Sequence, residues 1–297
     1  MKRLLKVLPK ITWLDIAVLL FVLAGGAYMA YRIKIGLHYN WHWSAMPQYL
    51  FRYDPEAGRW VPNVLIEGLL NTIRLSFWAT LLATLIGTGM GLLRIRRSLF
   101  SRLVGGTYVE LMRNLPPLVL IFIFYYFIGD QILTTLGIDG WVKSSSETTQ
   151  KFLSAFFAPP SLFSAFLSAL LTLAIFEGAY ITEIVRAGIQ SIEKDQWEAA
   201  DALGLSPFQR MRHVILPQAV RRILPPLAGQ FISTIKDSAI VSVISIQELT
   251  FQGMELMAAT YYTFETWITI TLLYLLLTLT CSLAVERLEL RFRRVEI

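Results

Sequence analysis

The chain has 297 residues, of which 55% are hydrophobic and only 16% are charged. Because soluble domains usually carry about a quarter charged residues, this composition excludes an ordinary soluble protein and indicates a protein that lies in a membrane. The single cysteine, Cys281, excludes an intrachain disulfide and a multi-cysteine metal site, and the net charge of +6 requires an account of where the basic residues lie.

Six apolar stretches are long enough, at about 20 residues, to cross a bilayer as helices, which predicts an all-α integral membrane protein. Most of the 27 lysines and arginines fall beside the ends of these stretches, on the side that holds both termini. The positive-inside rule therefore predicts that both termini are cytoplasmic, and it explains the net charge without a nucleic-acid partner. The predicted spans are residues 13–33, 64–93, 105–128, 162–186, 222–247 and 265–286.

The first span follows a basic N-terminus, as a signal peptide would, but it is span-length and lacks a clear cleavage site. We therefore expect an uncleaved helix. The segment after it is rich in Trp and Tyr, which is typical of the headgroup level of a bilayer. His38 and His42 have the i, i+4 spacing of metal ligands on a helix. The surrounding aromatic residues favour an interfacial belt instead, and we expect no metal.

The second span carries two features. Gly87 and Gly91 form a small-x-x-x-small face that suits close helix packing. Asn71 and Thr72, near the predicted outer end, either line a polar pathway or form hydrogen bonds to another helix, and the sequence supports both interpretations equally.

The third span contains Glu110 and Arg113. Charged side chains in a span are costly and normally face a partner or a water-filled cavity. At i, i+3 spacing the two can neutralise each other, which we favour over direct contact with a transported molecule. Pro116 and Pro117 then interrupt the backbone hydrogen bonds, as in the broken helices that line transport pathways. Residues 129–160 are expected to form an outer loop.

The fourth and fifth spans each carry an acid and a base. Glu183 and Arg186 lie three apart near the cytoplasmic end, where we favour an ion pair at an inner gate over simple extension of the arginine to the interface. Lys236 and Asp237 are adjacent, so they point to different sides of a regular helix. Lys236 either binds a carboxylate of a transported molecule or pairs with Glu110 or Glu183.

The polar loop between these two spans begins with a predicted short helix. Asp195, with Glu198 three residues on, is typical of a capping box at the start of a helix. Gly204 is placed to end that helix in a left-handed conformation.

A second short helix is predicted directly after this glycine. Ser206, Pro207 and Gln209 are typical of its N-cap, N1 and N3 positions, and Pro217 is expected to end it. Two capped helices joined by a glycine turn would form a rigid polar projection.

The same loop resembles the cytoplasmic signature of the permease subunits of bacterial ABC importers. That signature is Glu-Ala-Ala, three residues, Gly, nine residues, an aliphatic residue, one residue, and Leu-Pro. Here it is formed by Glu198-Ala199-Ala200, Gly204, Val214 in place of the usual Ile, and Leu216-Pro217. The loop comprises residues 188–221. The resemblance implies that its first helix docks into a cleft on an ATPase subunit. The small Ala199 and Ala200 permit close approach, and Glu198 and Asp201 offer charge-assisted contacts.

The resemblance extends over roughly residues 64–290 and implies a type I importer permease core of five spans. Residues 1–63 would add an N-terminal helix with an outer aromatic segment, and residues 291–297 a basic cytoplasmic tail. Within the core, several motifs resemble the branch for polar amino acids of the His, Glu, Gln, Arg or opine type, which implies roles in the translocation pathway or its gates. They are Asn71-Thr72, Glu110-x-x-Arg113-x-x-Pro116, Glu183-x-x-Arg186 and Lys236-Asp237-Ser238. One departure is Asp195, where the family usually has Gly.

The resemblance also implies the partners. The sequence has no phosphate-binding loop of the Gly-x-x-x-x-Gly-Lys-Ser/Thr type, so ATP and Mg²⁺ would bind to a partner ATPase, and this chain would need no cofactor and catalyse no reaction. The expected partners are ABC ATPase subunits, a second permease subunit of the same or a sister chain, a periplasmic or extracellular amino-acid-binding protein, and membrane lipid. The expected location is the bacterial inner membrane.

Two other classes of function are weaker. An ion-coupled secondary amino-acid transporter would suit the charges within the spans, but six spans show no inverted halves and the polar loop has no evident role there. A membrane-embedded enzyme would need a nucleophile with a base, or a metal site, and the sequence, with only three histidines, has no such arrangement that we recognise.

Overall fold

In the computed structural model, the described residues are 12–36, 39–56 and 58–293. Contacts divide the chain into two compact units, Met1–Trp43 and Ser44–Ile297. The first unit contains helix α1 (Trp13–Gly36), which confirms the first predicted helix. Its start is fixed by a reciprocal cap, because the Thr12 amide donates to Asp15 Oδ2 at 2.7 Å and the Asp15 amide donates to Thr12 Oγ1 at 3.4 Å.

The boundary between the units falls within a 3₁₀ turn (Trp43–Ala45). The second unit continues with a short helix α2 (Met46–Leu50) and an antiparallel hairpin of β1 (Phe51–Asp54) and β2 (Arg59–Pro62). The hairpin was not predicted from the sequence. It is stabilised across the strands by Tyr53 and Trp60, which lie opposite each other with ring centroids 5.8 Å apart.

Two long helices, α3 (Val64–Ile95) and α8 (Phe163–Gln190), form the most extensive helix contact of this unit. They approach closely through the glycines that the sequence singles out. A Cβ atom on Gly87 would lie 2.7 Å from Cβ of Ile181, and one on Gly91 would lie 2.8 Å from Cγ1 of Val185. The predicted small-residue packing face is therefore confirmed.

The predicted third span is two helices rather than one. Helix α4 (Leu99–Asn114) ends two residues before Pro116, and α5 (Pro117–Tyr126) continues through a π-helical segment, Phe127–Leu133. The two halves are bent by 113°. Prolines explain the break, since neither has an N–H to donate and the residue before a proline is driven out of the helical region.

The predicted outer loop at 129–160 also contains helices, which the sequence analysis missed. They are helix α6 (Ile138–Ser144) and helix α7 (Glu147–Phe156). Ser146 starts α7, because its Oγ accepts from the Thr149 amide at 3.2 Å. One of the Ser and Thr residues that suggested a loop thus acts as a helix cap.

The polar loop holds α9 (Lys194–Ala202) and α10 (Pro207–Arg210). A π-helical segment, Met211–Ile215, joins α10 to α11 (Leu216–Asp237), and 3₁₀ turns extend α11 to Ile244. The prediction that Pro217 ends the second helix was wrong. Pro217 lies in the first turn of α11, where a missing N–H is tolerated, so the chain continues as a helix.

The last two helices are α12 (Leu249–Thr260), which was not predicted, and α13 (Thr263–Arg293). Within the described residues, four helices are long and apolar enough to cross a membrane, and the bent α4–α5 pair would be a fifth. Helix α1 has a shorter apolar stretch, so this count is lower than the six predicted spans. The four are Val64–Ile95, Phe163–Gln190, Pro207–Ile244 and Thr263–Arg287.

Candidate functional site: the polar loop and the charged groups of the spans

The first helix of the polar loop, α9, has one buried face and one exposed face. Ala200 is only 2% exposed, and Trp197 packs against the cluster of Ile192, Ile215 and other apolar residues below it. Glu198 and Ala199 lie on the opposite, exposed face. The two alanines of the signature therefore differ. Ala200 packs α9 against its own subunit, whereas Ala199 is a small exposed residue beside Glu198 that leaves room for close approach.

The start of α9 is not capped in the predicted way. The helix begins at Lys194, so Asp195 lies in its first turn instead of at the N-cap. Glu193 occupies the N-cap, and its side chain forms no capping hydrogen bond. The capping box of Asp195 and Glu198 was therefore wrong. The carboxylates in the first turns still favour the helix through its dipole.

The turn after α9 follows the prediction. Gly204 has φ +70°, the left-handed conformation that lets the chain reverse at low cost. Ser206 then forms the predicted capping box, because its amide donates to Gln209 Oε1 at 2.9 Å and its Oγ accepts from the Gln209 amide at 3.4 Å.

Side chains fix α9 to the following segment. Asp201 forms an ion pair with Arg210, and the guanidinium of Arg210 lies over the ring of Trp197, 5.3 Å from its centroid. Gln218 donates to Gln196 Oε1 at 3.1 Å. Asp201 was proposed from the sequence as a contact for another subunit, whereas in this structure its carboxylate binds within the loop.

Two exposed apolar side chains near the turn escaped the sequence analysis. Leu203 is 78% exposed and Phe208 is 69% exposed. Both are apolar residues close to Gly204 in a mainly polar segment. That position in the sequence was the signal from which their exposure could have been predicted. The second part of the signature lies at the start of α11, where Leu216 is half-buried and Pro217 is exposed.

A second charged group lies where α3 and α8 end near this loop. Arg186 donates to Glu183 Oε2 through Nε at 2.9 Å and through Nη2 at 2.7 Å, as the sequence predicts. Glu183 also pairs with Arg94 of α3, a partner that the sequence analysis missed. Arg186 further donates to Gln190 at 2.5 Å. One carboxylate thus joins two helices.

The predicted pair of Glu110 and Arg113 is not formed. Glu110 Oε2 accepts from Asn114 Nδ2 at 2.6 Å, and the guanidinium of Arg113 lies 5.4 Å from the ring centroid of Tyr180 on α8. The i, i+4 amide is the better placed neighbour on α4, and the tyrosine ring attracts the cation across the helix contact. Pro116 lies at the bend just beyond.

A buried acid on α8, Glu177, meets α11. Glu177 is fully buried; its Oε2 accepts from Gln230 Nε2 at 2.6 Å, and its carboxyl lies next to that of Asp237. Lys236 is exposed on another side of α11 and forms no ion pair with any residue in the described part of the chain. The prediction that Lys236 and Asp237 diverge is confirmed. The alternative that Lys236 pairs with Glu110 or Glu183 was wrong.

Ser238 and the outer polar pair have structural contacts. Ser238 is buried and donates to the Ile235 carbonyl at 2.8 Å. Asn71 Nδ2 donates to the Gln247 carbonyl at 2.8 Å, and Thr72 Oγ1 accepts from the Leu249 amide at 3.1 Å. For Asn71 and Thr72, the interpretation as hydrogen bonds between helices is the one that the contacts support.

The contacts of Asn71 and Thr72 lie beside Glu248, which the sequence analysis did not select. Its side chain is fully buried at the start of α12, where it accepts from the amides of Thr250 at 2.9 Å and Phe251 at 2.7 Å. Tyr274 of α13 donates to it at 2.8 Å. Glu248 therefore connects α3, α12 and α13 as a buried cap.

Among the described residues, no group of three or more His, Cys, Asp and Glu side chains is arranged to hold a metal ion. His38, one half of the pair considered in the outer segment, lies outside the described residues. The neighbouring Trp41 and Trp43 stack with ring centroids 5.9 Å apart, and Tyr39 meets Trp41 edge-on at 5.1 Å.

Residues 83–294 match the family described as "Binding-protein-dependent transport system inner membrane component". The glutamine transport system permease protein GlnP of Escherichia coli is 34% identical over 238 residues, which cover 77% of this chain and 93% of that protein. The glutamate/aspartate import permease protein GltJ of Escherichia coli is 32% identical over 254 residues, covering 86% of this chain and 96% of that protein.

Solved structures have the same fold. One described as an amino acid ABC transporter with histidines has 34% sequence identity and a TM-score of 0.61, covering 77% of this chain and 94% of its own. The methionine ABC transporter MetNI in an inward-facing conformation, 19% identical, has a TM-score of 0.57 with 77% and 96% coverage.

Proposed function

Since this chain belongs to the family of binding-protein-dependent transport system inner membrane components, the permease subunits of ABC importers, we propose that it carries polar L-amino acids across the bacterial inner membrane. ATP hydrolysis on a separate subunit would drive the transport, and a separate binding protein would deliver the amino acid. The glutamine and glutamate/aspartate permeases among its relatives support this class of substrate.

The observation that carries the proposal is the construction of α9. Its inner face is fixed to its own subunit by Trp197, Ala200 and the pair of Asp201 with Arg210, so the helix can transmit force without being displaced. Its outer face exposes Glu198 and the small side chain of Ala199 to solvent. We infer that this face docks on the ATPase and that both chain termini lie on the same, cytoplasmic side.

The charged groups of the spans would form the pathway. Arg113, Tyr180, Glu177 and Asp237 share one neighbourhood between α4, α8 and α11. Lys236 offers an exposed cation on α11 for a substrate carboxylate. The group of Arg94, Glu183 and Arg186 would close the inner end. Alternating access would then follow from motion of these helices around the pathway, driven from α9.

Charge reversal at Glu198 tests the coupling. In the reconstituted complex with its ATPase and binding protein, Glu198→Arg should abolish substrate-stimulated ATP hydrolysis while the protein still inserts and folds. Glu193→Arg is the matched control, because Glu193 is exposed at the start of the same helix and forms no capping bond. Unchanged stimulation in Glu198→Arg would refute a role for this face.

Copurification separates the importer from the ion-coupled alternative. The folded chain, extracted gently from its native membrane after crosslinking, should bring an ATPase and either a second copy of itself or a sister permease. Recovery of neither, with uptake that an ionophore abolishes, would overturn the proposal.

A further inference from the structure

A groove of about 1010 Å³ lies between the end of α3 and the polar loop. One wall is apolar, and the groove is also lined by three arginines and a single acid. The lining residues that matter here are Ile95, Arg96, Arg97, Asp201, Arg210 and Met211. The groove therefore combines a hydrophobic surface with an excess of positive charge.

The positive charge is not neutralised within the described part of the chain. Asp201 pairs with Arg210, whose Nε is buried and has no hydrogen-bond partner. Arg96 and Arg97 are exposed, and neither forms an ion pair or a side-chain hydrogen bond with a described residue. Against one carboxylate there are three guanidinium groups, so the groove suits an anion.

The position of the groove narrows the choice of anion. Arg96 and Arg97 directly follow the last residue of the span Val64–Ile95, and α10 opens the span Pro207–Ile244. The α3 side of the groove thus lies where the span Val64–Ile95 ends, and we place it at the height of lipid headgroups. Basic pockets between helices at this level bind anionic lipid headgroups, and the apolar wall fits the beginning of an acyl chain.

We propose that this groove binds an anionic phospholipid, with its phosphate at Arg96 and Arg97 and one acyl chain against Ile95 and Met211. A free phosphate ion would leave the apolar wall unused. Because Trp197 and Asp201 of α9 also line the groove, the bound lipid would steady the helix on which coupling depends. The inference rests on the proposed orientation of the loop and extends the proposed function to its regulation by lipid.

The test uses the full chain in phosphatidylcholine nanodiscs to which one brominated lipid is added. The added lipid is either phosphatidylglycerol or phosphatidylcholine, and in both the bromine lies near the headgroup. Bromine quenches tryptophan fluorescence at short range, and the signal of Trp197 is isolated by subtracting that of Trp197→Phe. We expect apparent occupancy by the anionic lipid to exceed that by the zwitterionic lipid by about 25-fold, since Arg96 and Arg97 near the surface each contribute about fivefold.

Arginine substitutions give the matched comparison. Arg96→Gln with Arg97→Gln should abolish the preference, whereas Arg102→Gln, an exposed arginine on α4 outside the groove, should keep it. Native mass spectrometry, which measures the phosphatidylglycerol that each variant retains, makes the same comparison without replacing Trp197.

Three outcomes would overturn the proposal: equal quenching by the two lipids, a preference that survives in the double variant, or no quenching by either lipid because another chain fills the groove. None of these readouts involves ATP or transport, so failure of the lipid site is distinguishable from failure of the importer function.

Discussion

The contact between α3 and α8 makes a quantitative prediction. A methyl group at Gly87 would lie 2.7 Å from Cβ and Cγ2 of Ile181 and 2.9 Å from the carbonyl oxygen of Gly178. One obstacle is backbone, so a rotamer change cannot relieve the contact, and the two helices must separate. Overpacking of this kind costs about 1–3 kcal/mol. Gly87→Ala should therefore lower the Tm in detergent by several degrees, at about 2–4 °C per kcal/mol.

The same helix supplies the control. Gly89 has no heavy atom within 4 Å of the position that a Cβ would take, so Gly89→Ala should leave the Tm unchanged or raise it slightly, because alanine is the better helix former. Thermal unfolding followed by intrinsic fluorescence, with size-exclusion chromatography to confirm a folded sample, measures both variants. Equal Tm values for Gly87→Ala and Gly89→Ala would refute the close packing of α3 on α8.

Three further substitutions test the site. Gly204→Val should weaken ATPase binding about tenfold, because a left-handed backbone costs an L-residue about 1–2 kcal/mol, while Gly204→Asn should bind normally; equal binding of the two in a pull-down titration would contradict this. Lys236→Met should lower amino-acid uptake by proteoliposomes at least about tenfold, the loss of one charged hydrogen bond, and full uptake with unchanged substrate preference would remove this residue from the pathway. Glu183→Gln should destabilise the protein by about 1–3 kcal/mol in thermal unfolding, since two guanidiniums then face each other. Adding Arg94→Gln to Glu183→Gln should restore part of that stability. If the free-energy losses of the two substitutions simply add, the interaction of Glu183 with Arg94 and Arg186 is refuted.

Features that depend on neighbours in sequence were predictable. The box of Ser206 with Gln209 and the left-handed Gly204 follow from local backbone chemistry, which no distant contact needs to supply. The divergence of Lys236 from Asp237 follows from the geometry of any regular helix. The same local rules were misapplied at Asp195, because the helix starts two residues earlier than the pattern suggests.

Features that depend on distant residues were not predictable. The bond between Glu177 and Gln230 joins positions 53 residues apart, and that between Thr72 and the Leu249 amide joins positions 177 apart. Arg94 looked like an ordinary basic residue at a span end because only the packing of α3 on α8 brings it to Glu183. Helix α12 was missed for a related reason: its cap, Glu248, is buried, and one of the hydrogen bonds that stabilise its carboxylate comes from Tyr274, 26 residues further along the chain.

The π-helical segment after α10 has a mechanical consequence. It makes Pro207–Ile244 one helical run of 38 residues, which as a straight α-helix would be about 57 Å long. The run starts beside α9 and reaches Lys236 near its far end, so the two sites are joined by a lever arm instead of a flexible tether. On the proposed coupling role of α9, a small tilt at the loop would become a larger displacement at Lys236, and Pro225 with Pro226, inside α11, mark where the run can bend.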